Sequence, residues 1–183
     1  MEERMKNRWL SVTALTLSAA LLMAVSGCVG NAMLQQRDDA RRTKAGAAVT
    51  QRELTVENLP QNIRRVFADY DSAGEFVGYT VQAVARGLYS DVAVNVSVTP
   101  EKNVLRRIAI ASHGETEYIG DKIEKPSFTE QFSGRRLPVK FTGEDGRAAQ
   151  IDWISGATYS SRAVVDAVNA AYDFLKSRQE AWV

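Results

Sequence analysis

Val92, Val94, Val96 and Val98 alternate with Ala93, Asn95, Ser97 and Thr99, close to ideal period-2 patterning with β-branched residues on one face. Such a run constrains the fold more than any other stretch of the chain, because it must lie in a sheet with its valine face covered. Pro100-Glu101-Lys102-Asn103 reads as a turn and Val104 to Ala111 as a returning strand, which makes an antiparallel hairpin. Upstream, Phe76 to Ala85 alternates around Val77, Tyr79, Val81 and Ala83 and is expected to pair alongside. Asn58-Leu59-Pro60 marks a boundary, and Gln61 to Tyr70 reads as a short helix. Leu137 to Thr142 and Ala149 to Ile154 are later strands, separated by the turn-forming Gly143-Glu144-Asp145-Gly146. Strands with short turns first and a helix last argue for an α+β domain on an antiparallel β-sheet with packed helices. No Gly-x-Gly-x-x-Gly turn opens a strand–helix alternation, which disfavours a doubly wound nucleotide fold.

That last helix is predicted from about Ser161 to Ser177. Val164, Val168, Tyr172 and Leu175 recur at helical spacing with Ala167, Ala171 and Phe174 beside them, all as core, and Ser160 or Ser161 is the expected N-cap. Directly before it stands Asp152-Trp153-Ile154-Ser155-Gly156-Ala157-Thr158. Ser155-Gly156 is a turn signal, and Thr158 falls just before a helix N-terminus, where free N–H groups and the helix dipole favour a phosphate. On its own, Ser-Gly-Ala-Thr is more often an ordinary Ser/Thr-rich cap than a ligand site.

The N-terminus reads as a targeting segment. Arg4, Lys6 and Arg8 precede an apolar run from Trp9 to Gly27 that ends in Val25-Ser26-Gly27-Cys28. Small residues before a cysteine match a bacterial lipobox, with Cys28 lipidated and everything before it removed. The competing reading is an uncleaved membrane-spanning helix, for which the run sits at the lower edge of the needed length. We favour the lipobox, because Ser, Thr and Gly dilute the run and the chain's one cysteine falls where a lipobox needs it. The expected organisation is 1–27 as lipoprotein signal or membrane anchor, 28–52 as a polar linker and 53–183 as a single domain held at the membrane by lipid.

Composition narrows the chemistry further. The 183 residues carry a formal net charge of +1, with one cysteine and one histidine. An intramolecular disulfide, a Cys-x-x-Cys redox pair, a cysteine-ligated metal site and a multi-histidine site are therefore excluded. No basic stripe with interleaved aromatics is present, so no nucleic-acid partner is expected. Any redox work must come from an organic cofactor.

The seven residues from Asp152 to Thr158 resemble the D-x-x-[ST]-G-A-T signature of the FMN-binding domain family. That family includes the G subunit of the Rnf electron-transport complex and the C subunit of the Na+-translocating NADH:quinone reductase. The resemblance spans roughly Phe67 to Leu175. Gly78-Tyr79 looks like the family's opening, and Phe128, Gln131, Phe132 and Gly134 resemble its phenylalanine–glutamine–phenylalanine–glycine tract. His113-Gly114-Glu115-Thr116 resembles its H-x-E-T loop. There the family continues Pro-Gly-x-Gly, whereas this chain has Glu117-Tyr118-Ile119-Gly120, and Gly87-Leu88-Tyr89-Ser90 replaces a more glycine-rich tract.

The resemblance implies FMN joined covalently to the Thr158 hydroxyl by a phosphoester, with Asp152, Ser155, Gly156 and Ala157 forming the signature read by an ApbE-type flavin transferase. It also implies His113, Glu115 and Thr116 beside the flavin. Without the family, His113 reads as a surface or capping histidine, Glu115 and Thr116 as helix caps, Asp152 as a turn cap, and Trp153 and Tyr159 as core or rim residues. The expected function is a membrane-anchored electron carrier on the extracytoplasmic side, working with membrane electron-transport subunits as in an Rnf-type complex. The protein is then a carrier component of an oxidoreductase or translocase rather than an enzyme by itself. Two alternatives stand beside it: a stand-alone flavinylated lipoprotein serving an extracellular acceptor or reductase, and a ligand-binding lipoprotein with no redox cofactor.

Overall fold

The computed structural model describes residues 50–144 and 149–178, within the second of two units, 45–183. The candidate leader, Cys28 and the linker up to Val49 lie outside the described residues, as do Asp145 and Gly146. Five strands form one antiparallel sheet in sequence order: β1 (Thr50–Glu53), β2 (Ile63–Tyr70), β3 (Phe76–Arg86), β4 (Asp91–Val98) and β5 (Leu105–Ser112). The short helix α1 (Pro126–Thr129) follows, flanked by 3-10 turns at Gly120–Glu124 and Glu130–Phe132. After it come β6 (Val139–Phe141), β7 (Ala149–Ile151) and the long helix α2 (Thr158–Ser177).

The valine stripe of β4 behaves as its alternation requires. Val96 faces Val81 and Val94 faces Ala83 across the β3–β4 ladder, and all four valines of the stripe are fully buried. Helix α2 packs mainly on β3 and β4, and its Val164, Ala167, Val168, Ala171 and Leu175 are buried too. The core therefore sits between one sheet face and one helix, the α+β arrangement expected. Tyr172 is only half-buried, at the edge of the stripe.

Residues on the other sheet face are polar and bonded to one another. Asp69 Oδ2 accepts from Thr80 Oγ1 at 2.7 Å and from Arg106 Nη1 at 2.9 Å, and the Thr80 and Ser97 hydroxyls lie 2.7 Å apart. A register shift between Ser97 and Val98 leaves Arg106 as the extra residue of β5, and this bulge turns its side chain toward Asp69.

Three expectations are corrected. Gln61–Tyr70 holds a strand rather than a helix: a bulge between Ile63 and Arg65 spaces the buried Ile63 and Val66 three apart, which imitates helical periodicity. Thr50–Arg52, read as the end of a linker, already pair with β2. The two late strands, read as Leu137 to Thr142 and Ala149 to Ile154, are three residues each, and they pair in parallel in a separate two-stranded sheet, Val139 facing Ala149.

Candidate functional site

Helix α2 begins three residues earlier than the apolar periodicity indicates. Thr158 is its first residue, Ala157 is the N-cap, and no side chain caps the end. Ser160 and Ser161 are therefore in the first turn, not caps. Gly156 supplies the turn into the helix at φ +80, a conformation that disfavours other residues. Thr158 is exposed, and no acidic residue stands in the first turn. An uncapped helix end with no acidic residue in its own first turn suits a phosphate at the Thr158 hydroxyl.

Ser160 and Ser161 turn inward instead. The Ser161 hydroxyl accepts the Ile154 N–H at 3.3 Å, while the Ser160 hydroxyl donates to Glu115 Oε2 at 2.5 Å. Glu115 is buried and also accepts the backbone N–H groups of Leu88, Tyr89 and Ser90 at 3.1–3.2 Å. Burial by itself would raise its pKa. The hydrogen bonds from Ser160, Ser90, Tyr89 and Leu88 outweigh that and hold the carboxyl below the ordinary range. Two glycines make room for it: a Cβ on Gly87 would stand 2.5 Å from Glu115 Oε1, and one on Gly120 2.5 Å from its Cβ. Glu115 thus joins three segments, the turn after β3, its own loop after β5, and the start of α2.

His113 supports the same loop. Its Nδ1 accepts the Glu115 N–H at 3.2 Å, which leaves Nε2 to donate to Glu124 Oε1 at 3.0 Å. Thr116 acts through its carbonyl, which receives the N–H groups of Ile119, Gly120 and Asp121, while its side chain is exposed. Tyr118, where the resembled pattern has glycine, holds φ +64.

Leu88, Thr116, Ile119, Gly156, Thr158 and Tyr159 all line one small cleft of about 40 Å³, floored by Glu115 and Ser160. The large apolar side chains found exposed among the described residues are Leu88, Tyr89, Tyr118, Ile119 and Tyr159. Every one of them belongs to a segment bordering this cleft. Apolar surface left in water at one place, around an accessible hydroxyl at a helix start, fits a ligand with a flat apolar body and a phosphate.

Asp152 and Trp153 are engaged within the fold. Asp152 does not cap its own turn: its Oδ1 accepts from Thr142 Oγ1 at 2.7 Å, and its N–H goes to Gln131 Oε1 at 2.7 Å. Trp153 stacks on Phe141 with centroids 3.5 Å apart and planes at 9°, under the Arg162 guanidinium, and so is committed to the protein's own packing. Ser155 is exposed, and Ala157 is buried.

Residues 87–173 match the FMN-binding domain family. They begin at the glycine that makes room for Glu115 and run through Thr158 into α2. This stretch of the chain is an FMN-binding domain.

The FMN-binding domain is similar to the G subunit of the ion-translocating oxidoreductase complex of Methanosarcina acetivorans, 34% identical over 109 residues, covering 60% of this chain and 57% of that protein. It is also similar to the C subunit of the Na(+)-translocating NADH-quinone reductase of Pasteurella multocida, 30% identical over 112 residues, 56% of this chain and 43% of that protein. The chain spans about half the length of these curated relatives. The crystal structure of Shewanella oneidensis NqrC superposes with a TM-score of 0.53 at 26% identity, covering 62% of this chain and 61% of that one. Among the described residues, no helix is long and apolar enough to cross a membrane.

Sequence reasoning places Thr158 and Glu115 in one site but misses how they are joined. It does not single out Ser160 as Glu115's partner, the backbone of residues 88–90, or the exposed side chains of Leu88, Tyr89, Tyr118 and Ile119. A signal for them is present: Gly87 and Gly120 each stand beside apolar residues in a loop.

Proposed function

We propose that the chain is an electron carrier with FMN esterified to the Thr158 hydroxyl, anchored at the extracytoplasmic face of a membrane through lipid on Cys28. The observation that carries this reading is the exposed Thr158 at the uncapped start of α2, surrounded by the exposed apolar rim. An ApbE-type transferase would join the threonine oxygen to the flavin phosphate of FAD, with AMP leaving and the hydroxyl proton passing to solvent. When bound, FMN supplies a centre that takes up electrons in pairs and releases them singly. Thr158 is a tether that keeps the cofactor at high effective concentration where a dissociable one would be diluted away. The helix end stabilises the phosphate, Leu88, Ile119 and Tyr159 cover apolar ring surface, and Glu115 holds these segments in register. His113 and Thr116 act through that loop, and Asp152, Ser155, Gly156 and Ala157 set the turn offered to the transferase.

The relatives named as components of ion-translocating complexes support a place beside membrane electron-transport subunits. The departures at Gly87–Ser90 and Glu117–Gly120 favour a second reading, a stand-alone lipoprotein relaying electrons to an extracellular acceptor. Intact-mass analysis of the chain made with and without the transferase tests the attachment. The wild type should gain the mass of FMN less water, and Thr158→Val should not. A flavin-bearing Thr158→Val chain would place the attachment elsewhere. In the same spectra an acylated N-terminus at Cys28 supports the lipoprotein, whereas an intact Met1 recovered from membranes overturns it.

A further inference from the structure

Tyr118 combines two features that are unfavourable for a tyrosine side chain. Its φ of +64 is a left-handed conformation that a bulky side chain resists, and the residue is 77% exposed, the most of any large apolar residue described. The conformation is held firmly. The Thr116 carbonyl gathers the N–H groups of Ile119, Gly120 and Asp121, and Gly120 lies tight against Glu115. The loop therefore fixes the backbone of Tyr118 and leaves its side chain in solvent. Its neighbour Ile119 lines the cleft that Thr158 and Tyr159 line from the other side.

We propose that the Tyr118 ring is a cover for the flavin, stacking on the isoalloxazine of FMN held at Thr158 and shielding that face from solvent. This rests on the attachment reading above. Phosphate and ribityl chain separate the ester from the ring, so the ring belongs at the rim, where the exposed aromatic and aliphatic side chains are. Offset stacking against a planar heteroaromatic recovers the apolar surface that Tyr118 otherwise leaves in water. Tyr118 is a positioning and shielding residue, with no part in the bond to the cofactor.

The test uses the full-length chain in detergent, loaded with FMN by co-expression with the transferase, as wild type, Tyr118→Phe and Tyr118→Gly. Glycine adopts φ +64 freely, so the last variant should fold and show a higher thermal midpoint in the flavin-free form. Tyrosine in contact with flavin quenches its emission. Tyr118→Gly should therefore raise native flavin fluorescence and its quenching by iodide by about twofold or more, while Tyr118→Phe keeps the iodide protection. Unchanged emission or unchanged iodide quenching in Tyr118→Gly, with full FMN content, overturns the cover and leaves attachment at Thr158 standing. Absence of flavin from the denatured wild-type chain overturns both.

Discussion

The Ser160 hydroxyl donates to the Glu115 carboxylate at 2.5 Å, across 45 positions of sequence, and so fixes the loop after β5 to the first turn of the helix that presents Thr158. Glu115 accepts the Leu88 N–H on that same oxygen and those of Tyr89 and Ser90 on its other one. One buried carboxylate therefore sets the spacing of three walls of the cleft.

Glu115→Gln should lower stability by about 1–3 kcal/mol, since an amide cannot accept all four of these donors and turns N–H groups toward N–H groups. The loss is pH-dependent. The folded pKa of Glu115 lies below the reference 4.5, so its contribution is fully present above that value. As pH falls below 4.5 the unfolded chain takes up the proton first, and the contribution disappears as pH passes through the folded value. Urea denaturation of both proteins between pH 7 and pH 3 (about the span of carboxylate titration) checks this. Parallel stability curves would show that the ionised form is not what the fold uses.

The same substitution bears on electron transfer. An ionised Glu115 beneath the cleft opposes added negative charge, so removing it should make the flavin easier to reduce. A midpoint rise on the order of 60 mV corresponds to about 1.4 kcal/mol for a one-electron couple. His113→Ala should move the midpoint less, because His113 does not line the cleft and its two nitrogens are engaged by the Glu115 N–H and by Glu124. Potentiometric titration of flavin-loaded variants measures both. A larger shift for His113→Ala would reverse these roles.

Asp69→Asn removes the partner of the buried Arg106 guanidinium and should cost about 3 kcal/mol. Flavin content should be unaffected, because this pair lies on the sheet face opposite α2. Thermal denaturation alongside flavin absorbance separates the two effects; loss of flavin with retained stability would contradict the placement.

Much of the architecture is legible along the chain because it is local. Alternation at Val92–Val98, turn residues at Pro100–Asn103 and helical spacing from Val164 to Leu175 each act within a few residues, and the structure bears all three out. Thr158 stands out through the Asp152–Thr158 signature, also a local pattern. The failures arise where a single insertion alters periodicity, as the β2 bulge does at Ile63–Arg65, or where strands too short to show a period choose parallel pairing.

The central hairpin of the five-strand sheet, the apolar face of α2 and the signature that singles out Thr158 are all readable in local patterns along the chain. Only the tertiary structure decided that Glu115 turns inward to Ser160 rather than outward, that Trp153 is spent on Phe141, and that Leu88, Tyr89, Tyr118, Ile119 and Tyr159 gather at one rim. The reason is physical. A helix or strand period is set by backbone geometry and written in neighbouring residues, whereas the partner of a buried carboxylate is whichever donor the packed chain brings within reach.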